Sequence, residues 1–256
     1  MRIDLFLYKK EYVKSRQKAK NLVEEGNVKI DGTIIKKPSF DIDENVEHFV
    51  EIVDDCPYVS RGGLKLDAII SHLNYDVSGK VCVDIGASTG GFTHCLLLNG
   101  AKTVYAIDSG SNQLASELLL DDRVVSIEGY NARNISADDI GTLADVITMD
   151  VSFISQTLII PSASTILKEN GVFFSLIKPQ FEVGRSNVGK GGIVKSAKAR
   201  LEAVRSVIEC GNNFGLKCIA LIVSPIQGGD GNIEFLAAFT RNGKEIKEDY
   251  IRKIVL

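Results

Sequence analysis

The sequence predicts an α/β protein: a doubly wound, largely parallel sheet of seven strands whose last pair is antiparallel, preceded by a small basic α+β unit. Three observations predict it. From residue 81 onward apolar strand runs alternate with helical segments. Within them, Val81-Cys-Val-Asp-Ile-Gly-Ala-Ser-Thr-Gly-Gly-Phe92 is a strand running into a Gly-rich turn and a helix. Charge is also unevenly divided: residues 1–40 hold ten Lys or Arg against five Asp or Glu, whereas residues 41–60 hold seven acids and no Lys or Arg. With 256 residues, 45% of them hydrophobic, the chain can fill one large core and one small one.

Residues 2–12 place Ile3, Leu5, Phe6 and Leu7 among charges as a short amphipathic helix. Ser15 reads as the N-cap of a second helix that runs through Glu25 and ends at Gly26, with Arg16, Lys18 and Lys20 on its first turns. Asn27-Val-Lys-Ile-Asp-Gly-Thr-Ile-Ile35 alternates around Asp31-Gly32, a tight-hairpin signal. Lys36 and Lys37 follow it. A linker closes this first unit near residue 59, and the second occupies residues 60–256. There a helix spans 64–73, strands are expected at 81–86, 103–108, 124–129, 145–150, 172–178, 219–224 and 233–239, and helices near 91–99, 111–119, 155–168 and 196–213. No helix separates the last two strands, so they form the antiparallel pair.

The turn after residue 85 departs from the Gly-x-Gly-x-x-Gly spacing that suits a pyrophosphate. A cofactor without one fits better, and S-adenosylmethionine is such a molecule. Asp84 at the strand end is placed to meet its amino acid moiety, while Gly86, Ala87, Ser88, Gly90, Gly91 and Phe92 bring the backbone close beneath it. The second strand, Thr103-Val-Tyr-Ala-Ile-Asp108, ends in an acid suited to ribose hydroxyls. The bland alternative is a tight strand-to-helix turn that binds nothing.

Four more charged residues fall on the ligand-binding edge of such a sheet. Asp150 and Lys178 end apolar strands, Lys65 opens the helix before the first strand, and Glu234 begins the antiparallel last strand. A lysine closing Phe173-Phe-Ser-Leu-Ile177 needs a reason, because burying an unpaired ammonium is costly. Beside a methyl donor this set suits methylation of a ribose 2′-hydroxyl, which needs a base. An ordinary lysine is almost fully protonated near pH 7; burial and a second ammonium both favour the neutral amine. The alternative is a pair of structural ion pairs at strand ends.

Five cysteines without a Cys-x-x-Cys pair argue against a disulfide framework or a metal site. No apolar run approaches the roughly 18 residues that span a bilayer, and the first residues lack the apolar stretch of a signal peptide. The reading is a cytoplasmic protein that does not enter membranes. Gly184 to Arg200 is a second basic stretch, with Arg185, Lys190, Lys195, Lys198 and Arg200 and no acid. Two basic surfaces on an acidic chain point to a polyanion, although a charge run can equally be a solvated face.

Residues Ser15 to Lys20, Gly26 to Gly32 and Lys36-Lys37-Pro38 resemble the S4 RNA-binding domain. Tyr58-Val-Ser-Arg-Gly-Gly-Leu-Lys-Leu66, Asp84 to Thr93, Asp150-Val-Ser-Phe-Ile-Ser155, Leu176-Ile-Lys-Pro-Gln-Phe-Glu182 and Gly189-Lys-Gly-Gly192 resemble, in order, the TlyA proteins, which are ribosomal RNA 2′-O-methyltransferases also labelled haemolysins. The resemblance implies an S4 domain joined to an FtsJ-like, Rossmann-like methyltransferase domain. It also implies S-adenosylmethionine as donor, and cytidine in 23S and in some members 16S rRNA as target. By motif, Lys65, Asp150, Lys178 and Glu234 become a catalytic tetrad, and Arg16, Lys18, Lys20, Lys36, Lys37, Arg61, Arg185 and Lys190 become RNA contacts. Ribosomal RNA or a ribosomal subunit is the implied partner, for a monomer or weak homodimer. Ser88-Thr89 stands where the wider FtsJ family has x-Pro, which predicts a less rigid turn. Two other function classes remain: a membrane-lytic protein, against which the absence of an apolar span counts, and a non-catalytic RNA-binding protein.

Overall fold

The structure is a computed structural model that describes residues 1–13, 15–24, 26–52, 56–184, 187–228 and 231–256. The chain divides into two compact units, Met1–Ser60 and Arg61–Leu256.

In the first unit α1 (Ile3–Lys9) and α2 (Arg16–Glu24) precede a three-stranded antiparallel sheet of β1 (Val28–Ile30), β2 (Thr33–Ile35) and β3 (Val50–Ile52). Helix α1 is shorter than expected, because the chain turns at Glu11, which has φ 60°. Ser15 caps α2 as anticipated, its hydroxyl accepting from Lys18 N at 3.1 Å. The Asp31-Gly32 hairpin forms with φ 51° and 78°, the two positive values that a tight hairpin turn requires. Strand β3 was not anticipated; it pairs with β1 through Lys29↔Glu51. Ile3, Phe6, Leu7, Leu22, Val23, Val28 and Ile35 form a core of their own.

His48 ties the segment before β3 back to the hairpin. Its Nδ1 lies 2.8 Å from Asp31 Oδ2 and its Nε2 3.0 Å from the Asp43 carbonyl oxygen. Both partners are acceptors, so the ring satisfies both contacts only as the doubly protonated imidazolium. The other oxygen of Asp31 accepts from Phe49 N at 2.9 Å.

The second unit is built on seven strands: β4 (Val81–Ile85), β5 (Thr103–Ile107), β6 (Val124–Ile127), β7 (Ala144–Met149), β8 (Leu167–Ile177), β9 (Lys217–Val223) and β10 (Phe235–Thr240). Their order is β6-β5-β4-β7-β8-β10-β9. The first five are parallel, and β10 inserts antiparallel between β8 and β9. The helices are α3 (Gly62–Leu73), α4 (Gly91–Leu98), α5 (Ser116–Leu119), α6 (Ala137–Ile140), α7 (Ile160–Ile166), α8 (Pro179–Glu182), α9 (Ala197–Asn213) and α10 (Glu248–Val255). The main core runs from Val83 and Ile85 through Ile147, Phe173 and Phe235 to Val204 and Leu221.

Two expected helices are cut short. Of 111–119 only α5 is helical, because the Glu128 carboxylate accepts from Asn112 N and Gln113 N at 2.7 and 3.3 Å and holds those residues in a turn. Of 155–168 only α7 forms an α-helix, entered through Pro161 near its first position. The sheet takes over at Leu167, which pairs with Ala144. Helix α10 was not anticipated.

Asp31 raises the His48 pKa above its ordinary 6.5, with the Asp43 carbonyl assisting, and His48 in turn lowers that of Asp31. For a raised imidazole, the stabilisation is complete below pH 6.5 and disappears as pH climbs through the raised value. We therefore expect the protection factor of the Phe49 amide, its exchange rate referred to the intrinsic rate at each pH, to be lower above neutrality than at pH 6, and His48→Gln to remove that difference. A His48 ring titrating at or below 6.5 by NMR would contradict this.

Candidate active site

The sheet register brings the predicted residues to one edge. Ile85 pairs with both Ile107 and Met149, so Gly86, Asp108 and Asp150 leave their strands at one level. Met149 pairs with Ser175, and Ile177 pairs with Phe235. Lys178, at the end of β8, therefore lies beside Glu234, at the start of its antiparallel neighbour.

The Gly-rich turn passes close under the end of β7. Gly86 has φ 84°, and a Cβ there would lie 2.3 Å from the Asp150 carbonyl oxygen, a position open only to glycine. Gly90 caps α4 at φ 93°, and its missing Cβ would meet Leu118 Cδ1 at 2.2 Å. Ala87 and Phe92 are buried, and Gly91 opens α4. These residues shape the backbone path rather than presenting side chains.

Ser88 stands at φ 48°, and its N–H donates to Asp108 Oδ2 at 2.8 Å. Its hydroxyl reaches Gln113 Oε1 at 3.2 Å, and Asp108 Oδ1 accepts from Gly110 N at 2.7 Å. Asp108 thus holds the residue before Thr89, which is where the wider FtsJ family has proline. Each Asp108 oxygen keeps a lone pair, and the side chain is half-buried, so it can still accept a ribose hydroxyl.

Asp84 is placed differently from the expectation. It has no exposure, and its oxygens accept from Thr93 Oγ1 at 2.7 Å and Thr148 Oγ1 at 2.8 Å. It lies beneath the turn and joins β4 to α4 and β7 instead of opening toward a ligand. Burial pushes its carboxyl up to about 6, against the two threonine hydrogen bonds.

The four residues proposed for chemistry form two ion pairs. Lys178 Nζ lies 2.5 Å from Asp150 Oδ1 and donates to Ser152 Oγ at 3.0 Å. Lys65 Nζ donates to Glu234 Oε2 at 2.7 Å, with side chains only 12% and 2% exposed. Gly228 backs Glu234: a Cβ there would come within 2.5 Å of Glu234 Oε1. Removing one partner of so buried a pair leaves the other uncompensated, at a cost of about 3–5 kcal/mol.

Sequence reasoning missed Phe153. This residue is 92% exposed at φ 63°, a backbone conformation costly for a bulky side chain, and its ring centroid lies 5.2 Å from that of Phe181. The pair flanks Lys178. No sequence signal marks an aromatic residue in an apolar motif as the one facing outward.

Among the expected RNA contacts, Arg16 shares the buried Asp4 carboxylate with Arg2: Arg16 Nη2 lies 3.1 Å and Arg2 Nη2 2.9 Å from Asp4 Oδ2. Asp4 is 2% exposed while the two arginine side chains are 51% and 47% exposed. Lys20 makes a long 3.8 Å pair with Glu24; Lys36 and Lys37 are exposed, and Lys18 is half-buried. Arg61 is the N-cap of α3. Lys190 is exposed on a short turn whose Gly192 O and Val194 N bind the buried Asn232 side chain at 2.9 Å each. Arg185 lies outside the described residues.

A parallel sheet with one antiparallel insertion, a glycine cradle and an acid at the second strand end defines a methyltransferase domain that takes a nucleoside-bearing donor. FtsJ-like methyltransferases match residues 58–241, and the S4 domain matches residues 1–48. The chain belongs to the TlyA family of S4-bearing, FtsJ-like methyltransferases. Its methyl donor is S-adenosylmethionine. Hemolysin A of Brachyspira hyodysenteriae is 41% identical over 93% of this chain and 99% of its own length. The 16S/23S rRNA (cytidine-2′-O)-methyltransferase TlyA of Mycobacterium tuberculosis is 37% identical over 91% of this chain and 87% of its own. A solved Streptococcus thermophilus structure, described provisionally as a hemolysin, has a TM-score of 0.80 at 40% identity, covering 100% of this chain and 94% of that one. Among the described residues no helix is long and apolar enough to cross a membrane.

Gly86→Ala should lower S-adenosylmethionine affinity at least about tenfold, because its Cβ must displace the Asp150 carbonyl; calorimetric titration with wild-type affinity would contradict it. The Asp84 carboxyl titrates above its ordinary 3.8 in the fold, so the folded state holds a proton that the unfolded chain has released. Stability should therefore fall as pH rises from about 4 to about 6. Asp84→Asn should flatten that slope in denaturant melts across the range, and an unchanged slope would show that Asp84 does not cause it.

Proposed function

We propose that this protein transfers a methyl group from S-adenosylmethionine to the ribose 2′-hydroxyl of cytidine in ribosomal RNA, 23S or 16S. The observation that carries this reading is the Lys178–Asp150 ion pair at the carboxyl edge, over the glycine turn. The name of the M. tuberculosis relative supports the nucleotide and the RNA class.

The cofactor supplies an electrophilic methyl group on a sulfonium centre. Everything else falls to the chain. Once Lys178 has given up its own proton, its amine takes the proton from the 2′-hydroxyl while the oxygen bonds the methyl carbon, whose bond to sulfur breaks to leave a neutral thioether. Asp150 and Ser152 hold Nζ in place, so the amine meets the hydroxyl in one orientation. The buried Lys65–Glu234 pair brings a second ammonium to the same edge, where it orients the ribose. Asp108 accepts the cofactor's ribose hydroxyls beside the turn.

The exposed Phe153 ring, with Phe181 behind it, offers a face on which an unstacked base can rest. In the S4 unit the shared Asp4 carboxylate holds Arg2 and Arg16 side by side, and their exposed guanidinium groups can meet phosphates. Lys36 and Lys37 extend that basic surface within the S4 unit, and Lys190 is an exposed base of the methyltransferase unit.

Lys178→Ala should abolish methyl transfer while S-adenosylmethionine binding stays within a few-fold of wild type; Lys178→Arg should be equally inactive, since a guanidinium does not lose its proton at working pH. Methylation of a 2′-oxygen protects the adjoining phosphodiester from alkaline cleavage. One protected linkage should appear in rRNA incubated with protein and S-adenosylmethionine. Methyl incorporation with no protected linkage would make this a base methyltransferase, and an active Arg variant would remove Lys178 as the base. Cofactor binding and RNA binding without any transfer would leave a non-catalytic RNA-binding protein.

A further inference from the structure

The loop after β7 carries Asp150, Ser152 and Phe153, and the turn after β8 carries Lys178 and Phe181. Neither is held by strand pairing beyond Met149 and Ile177. Besides the Lys178 contacts and the Phe153–Phe181 pair, one carboxylate joins them. Glu182, the last residue of α8, accepts from Ser155 Oγ at 2.6 Å through one oxygen and from Gln156 N at 2.9 Å through the other. Glu182 is half-buried with both oxygens engaged, and burial raises its pKa against these two hydrogen bonds. The Gln156 side chain then anchors the same loop to β8, donating from Nε2 to Leu176 O and accepting from Ser175 Oγ, each at 2.5 Å.

We propose that Glu182 is a positioning residue for methyl transfer: through Ser155 and Gln156 it fixes the Asp150 loop against the Lys178 turn. It touches no reacting atom. The Lys178–Asp150 pair closes the two segments on one side, the Phe153–Phe181 contact spans the middle, and Glu182 closes the far side. The backbone strain at Phe153 needs such restraint, because a residue at φ 63° keeps that conformation only where its surroundings over-determine it. Hydrogen-bond geometry carries the role. A glutamine at 182 can still accept from Gln156 N and donate to the Ser155 hydroxyl, whereas alanine can do neither.

This inference rests on the methyltransfer reading above, and the test separates the two. With full-length protein, S-adenosylmethionine and rRNA, Glu182→Ala should lower kcat by about 10- to 100-fold, the range expected when catalytic groups shift by around an ångström. S-adenosylmethionine affinity should stay within a few-fold, and Glu182→Gln should recover most of the loss. Ser155→Ala probes the same contact without removing the carboxylate, and its loss should not add to that of Glu182→Ala in the double variant. Wild-type kcat in Glu182→Ala, a Gln variant as poor as the Ala variant, or additive losses would each overturn the clamp. If Glu182→Ala fails to fold, Ser155→Ala and Glu182→Gln decide it: the clamp requires a reduced kcat in the first and a near-normal one in the second. A wild-type protein that transfers no methyl group to rRNA would instead sink the function itself.

Discussion

Asp84, the penultimate residue of β4, has no exposure, and its two oxygens go to threonines on two other elements. One is Thr93 on the helix that leaves the glycine turn; the other is Thr148, two residues before the candidate catalytic acid. A buried carboxylate is costly unless its hydrogen bonds are met, so the cheapest arrangement of β4, α4 and β7 is the one that satisfies Asp84. The glycine turn is then held between that carboxylate below and the Asp150 carbonyl above, which leaves no room for a side chain at residue 86. These contacts fix the glycine turn against the end of β7.

The strands were legible because each is an apolar run with turn residues at its ends, and the antiparallel last pair was legible because nothing helical lies between its members. The gathering of Lys65, Asp150, Lys178 and Glu234 into two ion pairs at one sheet edge was legible for a related reason: a lysine or an acid that closes an apolar run has few structural explanations. What escaped notice was decided by distant partners. Glu128 stops a helix at residues 112 and 113; Val50-Glu-Ile52 becomes a strand only because β1 offers an open edge; Glu182 finds its donors on a different loop. Phe153 points outward through a backbone angle that no pattern of residue types encodes. Asp84 was assigned to the cofactor because strand-end acids often serve ligands, and only the placement of two threonines shows it turned inward. Helix α10 is a different kind of omission, since Tyr250, Ile251, Ile254 and Val255 carry a helical spacing that could have been read.

The two units rely on polar groups in different ways. In the small S4 unit the core is short, and buried or shielded charge supplements it: Asp4 under two arginines, and His48 between Asp31 and the Asp43 carbonyl. Small domains bury a lower share of their surface and lean on such contacts more heavily. In the larger unit the core is ample; Asp84 is structural beneath the glycine turn, and further charge gathers at the strand edge as the Lys178–Asp150 and Lys65–Glu234 pairs.

The insertion of β10 between β8 and β9 has an outcome in time as well as in space. Lys65 and Glu234 are 169 positions apart in the chain, and Glu234 reaches its place only when β10 has zipped against β8. During synthesis, β9 emerges first and has no neighbour but β10, so it must wait unpaired. A partly made chain can already hold its glycine turn and Asp150, yet it lacks the acid that pairs Lys65. The Lys65–Glu234 pair is thus absent from the nascent polypeptide until residues 234–240 have left the ribosome.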